Sequence, residues 1–142
     1  MPQRFDLLVI FNVLYAIVEK TAALYSLRSA ARKGATIKIF DYVTPAGVQV
    51  PWDEKILSIR PPTVPALRGM LGDTGWLVEK EIDLGPRYLI WYSEFLRRFN
   101  ADELRQSYSE EYIRGARSKY EAMHDAIGSD RLGAALISAK AA

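Results

Sequence analysis

The chain has no cysteine and a single histidine, His124. These absences exclude a disulfide framework, thiolate metal sites and a cysteine nucleophile, and they leave too few imidazoles for a histidine metal cluster. No P-loop, GxGxxG turn, HExxH helix or GxSxG elbow occurs along the chain, so the common phosphate, zinc and serine-hydrolase chemistries have no motif to rest on. A dominant charge sign is missing too: 19 Lys and Arg stand against 17 Asp and Glu, a net charge of +2, which is no electrostatic footprint for nucleic acid. What is present is ordinary. Hydrophobic residues make up 49% and charged residues 25% of 142 residues, the composition and length of one folded domain over 1–142.

The most apolar stretch is LLVIFNVLYAIV at residues 7–18, in which Asn12 is the one strongly polar side chain. Asp6 before it and Glu19 and Lys20 after it do not suit a cleaved signal peptide, which needs a basic leader and a small-residue cleavage site. Two readings remain open. Residues 7–25 form a membrane span, with Arg28, Arg32 and Lys33 holding its C-terminal flank in the cytoplasm. Alternatively, a helix over residues 5–32 is buried in protein and ends at Lys33 and Gly34, where glycine takes the left-handed cap.

The β-branched and aromatic run TIKIFDYV at residues 36–43, the turn residues Thr44, Pro45, Ala46 and Gly47, and Val48, Gln49 and Val50 predict a β-hairpin. Prolines at 51, 61, 62 and 65 mark an extended connector. A short helix is predicted over 64–71, a third strand or else a helix over 76–82, where Lys80 breaks the alternation, and a helix with a clear apolar stripe over 87–99. Asn100, followed three residues later by Glu103, resembles a capping box that opens a long helix to about Ile127. Ser129 or Asp130 then caps a short terminal helix through Ile137. The fold class expected is α+β and predominantly helical: a long N-terminal helix, a small antiparallel hairpin or three-stranded sheet, and a C-terminal helical hairpin.

No residue stands out as catalytic, and no cofactor or metal is expected. His124 falls on the polar arc of the long helix, and Gly69-Met70-Leu71-Gly72 matches a GxxG loop but lacks basic residues between its glycines. On the 87–99 helix Ile90 and Trp91 lie off the apolar stripe, among Arg87 and Arg98, which is the composition of an interface anchor. With Val13 and Ile17 they form a candidate partner surface. Arg28, Arg32, Lys33 and Lys38 are a candidate anion or nucleic-acid contact. The reading that follows is a non-enzymatic structural or assembly subunit that oligomerises with itself or docks into a larger complex, such as a viral or phage particle. The alternatives are a membrane-anchored accessory subunit spanning 7–25 and a nucleic-acid-binding module using 20–38. The expected location is the cytoplasm or the interior of a macromolecular particle, without secretion by a cleaved signal.

Overall fold

In the computed structural model, which describes residues 4–48 and 51–142, the apolar N-terminal run is not one helix. It opens as strand β1 (Phe5–Phe11), turns through a single 3-10 turn (Leu14–Ala16), and becomes helical only in α1 (Lys20–Ala30). Asn12 ends the strand at φ 51°, a left-handed conformation that asparagine tolerates better than most residues. A short continuous apolar run fits a strand buried on both faces as well as it fits a buried helix, and here pairing with a distant strand decides between them.

Strand β2 (Ala31–Val43) follows α1 and runs parallel to β1, with Leu8 opposite Ile37 and Ile10 opposite Ile39. Between the pairs Phe5/Ala31 and Leu7/Thr36 the register slips, so β2 carries surplus residues there. Gly34 sits in this bulge at φ 76°, which explains a glycine that the sequence suggests as a helix cap. The predicted hairpin does not form. Thr44 to Gly47 do turn, but Val48 is not in a strand, and Gln49 and Val50 lie outside the described residues. The partner of β2 is instead the final strand, some 90 residues away.

Helix α2 (Val64–Asp73) is capped by the Thr63 hydroxyl, which accepts from the Ala66 amide, and it leads into β3 (Trp76–Asp83). Helix α3 (Gly85–Arg98) comes next. The long helix expected after Asn100 is interrupted. Asn100 accepts from the amides of Asp102 and Glu103 to start only the four residues of α4 (Ala101–Leu104), and Ser109 then caps α5 (Glu110–Gly128). The predicted terminal helix is in fact strand β4 (Gly133–Ala141), placed between β2 and β3 and antiparallel to both.

The sheet order is therefore β1-β2-β4-β3. This corrects the expectation of a predominantly helical α+β fold: the molecule is a mixed α/β sheet flanked by helices. One face of the sheet carries the larger core, where Ile10, Ile37, Ile39, Ile137 and Trp76 meet Leu24 of α1 and Leu67 and Leu71 of α2. On the other face α3 and α5 pack over the ends of the strands, where Tyr42, Tyr92, Met123, Ala126 and Leu132 form a second cluster with Ile56 and Leu57 of the connector. No helix among the described residues is long and apolar enough to cross a membrane, so the span at 7–25 is also corrected.

Trp76 anchors the larger core. It is 1% exposed, and its indole N–H donates to the Leu24 carbonyl at 3.2 Å, locking β3 to α1. Trp76→Ala is expected to lower unfolding free energy in urea by about 3–5 kcal/mol, the usual cost of emptying a buried aromatic site. A loss below about 1 kcal/mol would show that this core is not the stabilising one.

Candidate active site

Because β4 is antiparallel to both neighbours, β3 runs the same way as β1 and β2, and the three carboxyl ends lie along one edge of the sheet. In open α/β sheets ligands bind outside such an edge. Here that edge carries a lattice of tyrosines. The Tyr88 hydroxyl donates to Asn12 Oδ1 at 2.6 Å, tying α3 to the residue that ends β1. The Tyr42 and Tyr92 hydroxyls are 2.5 Å apart and share a hydrogen bond. Tyr42 also takes the rings of Tyr15 and Tyr88 edge-on, at centroid distances of 5.4 and 5.5 Å.

Behind the rings lies Asp41, 2% exposed. Its carboxylate accepts from the Tyr15 amide at 2.9 Å and from the Tyr42 amide at 2.8 Å, so it pins the loop after β1 to the end of β2. Burial raises the Asp41 pKa, and the amides of Tyr42, Tyr15 and Leu14 and the charge of Lys20 oppose that rise. Lys20 is itself buried, with its pKa lowered mainly by desolvation, and its ammonium donates to the Ile17 carbonyl at 2.6 Å. Burial likewise pushes Tyr88 up to about 12 and raises Tyr42 and Tyr92, so all three hydroxyls remain protonated donors through neutral pH.

A cavity of about 540 Å³ lies nearby, between the ends of β2 and β3, the start of β4 and helices α2, α3 and α5. Helix α3 separates it from the lattice: Leu89 lines the cavity, and Tyr88 and Tyr92 do not. The lattice is the better candidate, because polar groups from three elements converge there and the left-handed Asn12 accepts from Tyr88.

The candidate residues named from sequence divide. Val13 is exposed and Ile17 half-buried in the loop that carries Asn12 and Tyr15, and Trp91 rims the lattice, stacked on Phe95 at 5.4 Å and edge-on to Tyr92. Ile90 and Arg87 are exposed, and Arg98 is paired with Glu94. The basic set does not converge on one site. Arg28 is spent on the carbonyls of Gly75, Ala31 and Ala142, Arg32 pairs with Asp6, and Lys33 and Lys38 are exposed along β2. His124 Nε2 lies 2.9 Å from the Ser93 hydroxyl, joining α5 to α3. Asn12, Tyr15, Asp41, Tyr42, Tyr88 and Tyr92 were not apparent as a site from sequence. The one available signal was Asn12, a lone polar residue in an apolar run.

No family model matches the chain, and no curated protein matches its sequence. Solved structures do. Phosphoethanolamine N-methyltransferase 2 of Haemonchus contortus, bound to phosphomonomethylethanolamine and S-adenosylhomocysteine, superposes on 99% of this chain with a TM-score of 0.89 at 16% identity. This chain shares the fold of that enzyme. The cyclopropane synthase MmaA2 of Mycobacterium tuberculosis shares it over 99% of the chain (TM-score 0.83, 11% identity), as does the [4+2]-cyclase SpnF (99%, TM-score 0.73, 18% identity). The chain spans only 34%, 56% and 53% of those three proteins, respectively. The expectation of a non-enzymatic assembly subunit or virion component is corrected by these matches, all three of which are to enzymes.

Such folds imply S-adenosylmethionine, and the residues present do not complete a site for it. A nucleoside needs an acidic group free to take its ribose hydroxyls and a glycine-rich turn where the backbone approaches closely. Among the described residues at this edge, Asp41 is committed to backbone amides, and the turn after β1 reads Asn12-Val13-Leu14, without glycine.

Two outcomes are expected from the lattice. Asp41→Ala leaves the Tyr15 and Tyr42 amides without their acceptor, at about 1–3 kcal/mol for each, whereas Asp41→Asn retains an acceptor oxygen and loses less; urea midpoints of the two variants check this. Secondly, the tyrosines bind their protons more tightly folded than unfolded, so their contribution is complete below pH 10 and is lost as pH rises toward about 12. Urea midpoints measured across that window should fall, and the fall should be shallower in Tyr88→Phe.

Proposed function

We propose that this chain forms the acceptor-binding side of a methyltransferase, with the tyrosine lattice presenting a small amine or similarly cationic group for methylation. The observation that carries the reading is the superposition of almost the whole chain on an N-methyltransferase at a TM-score of 0.89, together with four tyrosines at the ligand-binding edge of the sheet. The cyclase that shares the fold shows why the fold by itself does not determine the reaction.

Methyl transfer is a displacement whose rate depends mostly on alignment and on exclusion of water. The residues of this chain supply those two things. The Tyr88 to Asn12 hydrogen bond and the amides held by Asp41 fix the loop at residues 12–17, so its side chains face the site in one arrangement. The rings of Tyr15, Tyr42 and Tyr88, packed edge to face, exclude water there. Tyr88, held protonated, stays a hydrogen-bond donor over the whole physiological range.

The test is tritium-labelled methyl transfer from S-adenosylmethionine to ethanolamine and its N-methylated derivatives, using protein purified from its own host with whatever remains bound to it. Label should appear in an amine acceptor, and Tyr88→Phe should lower turnover about tenfold with a smaller effect on stability. Absence of label from every amine, with no shift of the Asn12 or Tyr15 amide resonances on addition of ethanolamine, would overturn the reading.

A further inference from the structure

The cavity of about 540 Å³ across α3 from the tyrosine lattice has a volume within the usual range of small-molecule sites. It opens where β4 begins with the small residues Gly133, Ala134 and Ala135, between the ends of β2 and β3. Val43, Ile82, Leu89 and Leu132 give it apolar walls. Its charged groups are all of one sign: Glu81, Asp83 and Asp130 line it, and among the described residues no lysine, arginine or histidine does. Side-chain and backbone donors are scarce as well. Pro45, Pro65 and Pro86 have no amide hydrogen, and the Thr44 hydroxyl is committed to the Pro61 carbonyl at 2.6 Å. A ligand that needs donors finds few here, whereas one that brings donors finds carboxylates.

Two of the carboxylates have structural partners. Glu81 takes both prongs of Arg68 at 2.7 Å, and Asp83 accepts from the Gly85 amide at 2.8 Å where α3 begins. Asp130 has none among the described residues, since the neighbouring Arg131 donates to the Ser129 hydroxyl instead. Its position is unfavourable in two ways. It stands just beyond the C-terminus of α5, where the partial negative charge of the helix repels a carboxylate, and its backbone is left-handed at φ 56°, a conformation that glycine takes more readily. The carbonyl of Gly128, the last residue of α5 and part of the cavity lining, also receives no hydrogen bond from a described residue. Local conflicts of this kind cluster at ligand sites. We propose that the cavity binds a small organic ammonium ion, with its charge held by Asp130 and the Gly128 carbonyl and its apolar body seated among Val43, Leu89 and Leu132. Charge complementarity selects this class, because an anion meets three carboxylates and a neutral apolar molecule leaves the Asp130 conflict unrelieved. A cation there relieves it, as cations do at helix C-termini. The site is separate from the lattice, and the proposal does not depend on the methyl-transfer reading.

Phenylbutylamine, phenylbutanol and phenylbutyrate share one apolar body and differ in charge, so titrating each into the 142-residue chain and following its methyl and amide resonances tests this directly. The amine should shift the methyls of Val43, Leu89 and Leu132 and bind about tenfold more tightly than the alcohol, and the butyrate should shift none of them. Asp130→Asn keeps a residue that tolerates the left-handed backbone and removes the charge. It should weaken the amine about tenfold and leave the alcohol unchanged. Equal binding of the three probes, amine shifts confined to Asn12 and Tyr15 or absent altogether, or full amine affinity in Asp130→Asn would overturn the proposal. The charge series on the unchanged chain decides the matter even if the variant does not fold. Ethanolamine shifts at Asn12 and Tyr15 bear on the methyl-transfer reading and shifts at Leu89 and Leu132 on the cavity, so either reading can fail while the other stands.

Discussion

The placement of β4 in the middle of the sheet is the constraint on which the rest of the structure depends. Without it β3 has no partner and β2 only one, and the three carboxyl ends do not line up on a common edge. The composition of β4 suits that position. Ala139 and Ala141 are buried, and their small side chains leave room for Ile37, Ile39, Ile137 and Trp76 in the same core. The chain also closes on itself there, since the Ala142 amide donates to the Gly75 carbonyl and Arg28 reaches across to the Ala142 carbonyl.

The candidate site is a consequence of that alignment. Once β1 and β2 end together, Asp41 meets the amide of Tyr15 from the following loop, and α3 is laid across the gap so that Tyr88 reaches Asn12. Each of these polar groups is buried or half-buried and has a partner, which keeps the cost of desolvation low and the geometry single. Burial holds the tyrosine protons tightly. The lattice is therefore a rigid set of donors and packed rings rather than a set of acids and bases.

The open side of the sheet has a different character. The face carrying Ile10 and Trp76 is closed by two helices, whereas Phe5, Leu7, Val9 and Phe11 of β1 on the other face are exposed. Apolar exposure of this kind marks a contact surface. It lies at the free edge of β1, beside the site.

Much of the local structure was legible in the sequence. The strand in β2, helices α2 and α3, the proline connector, the cap at Asn100 and the helix end at Gly128 all follow from side-chain periodicity, turn residues and capping chemistry, which act within a few residues. The break between α4 and α5 was less legible, because Ser109 competes as a cap within a run that is otherwise helical. The larger errors fell on residues 5–11 and 133–141, an apolar run and an alanine-rich tail that suit helix and strand alike. Their state is decided by pairing with β2, from which β4 is separated by most of the chain. The same distance hid the site: Asn12, Asp41 and Tyr88 are ordinary residues in sequence and become a constellation only when β1, β2 and α3 meet. The sequence by itself determined where helices and turns begin and end, because those choices are local. Only the tertiary structure decided which apolar segments are strands, which edge they share and what lies across it, because hydrogen-bond partners far apart in the chain make those choices.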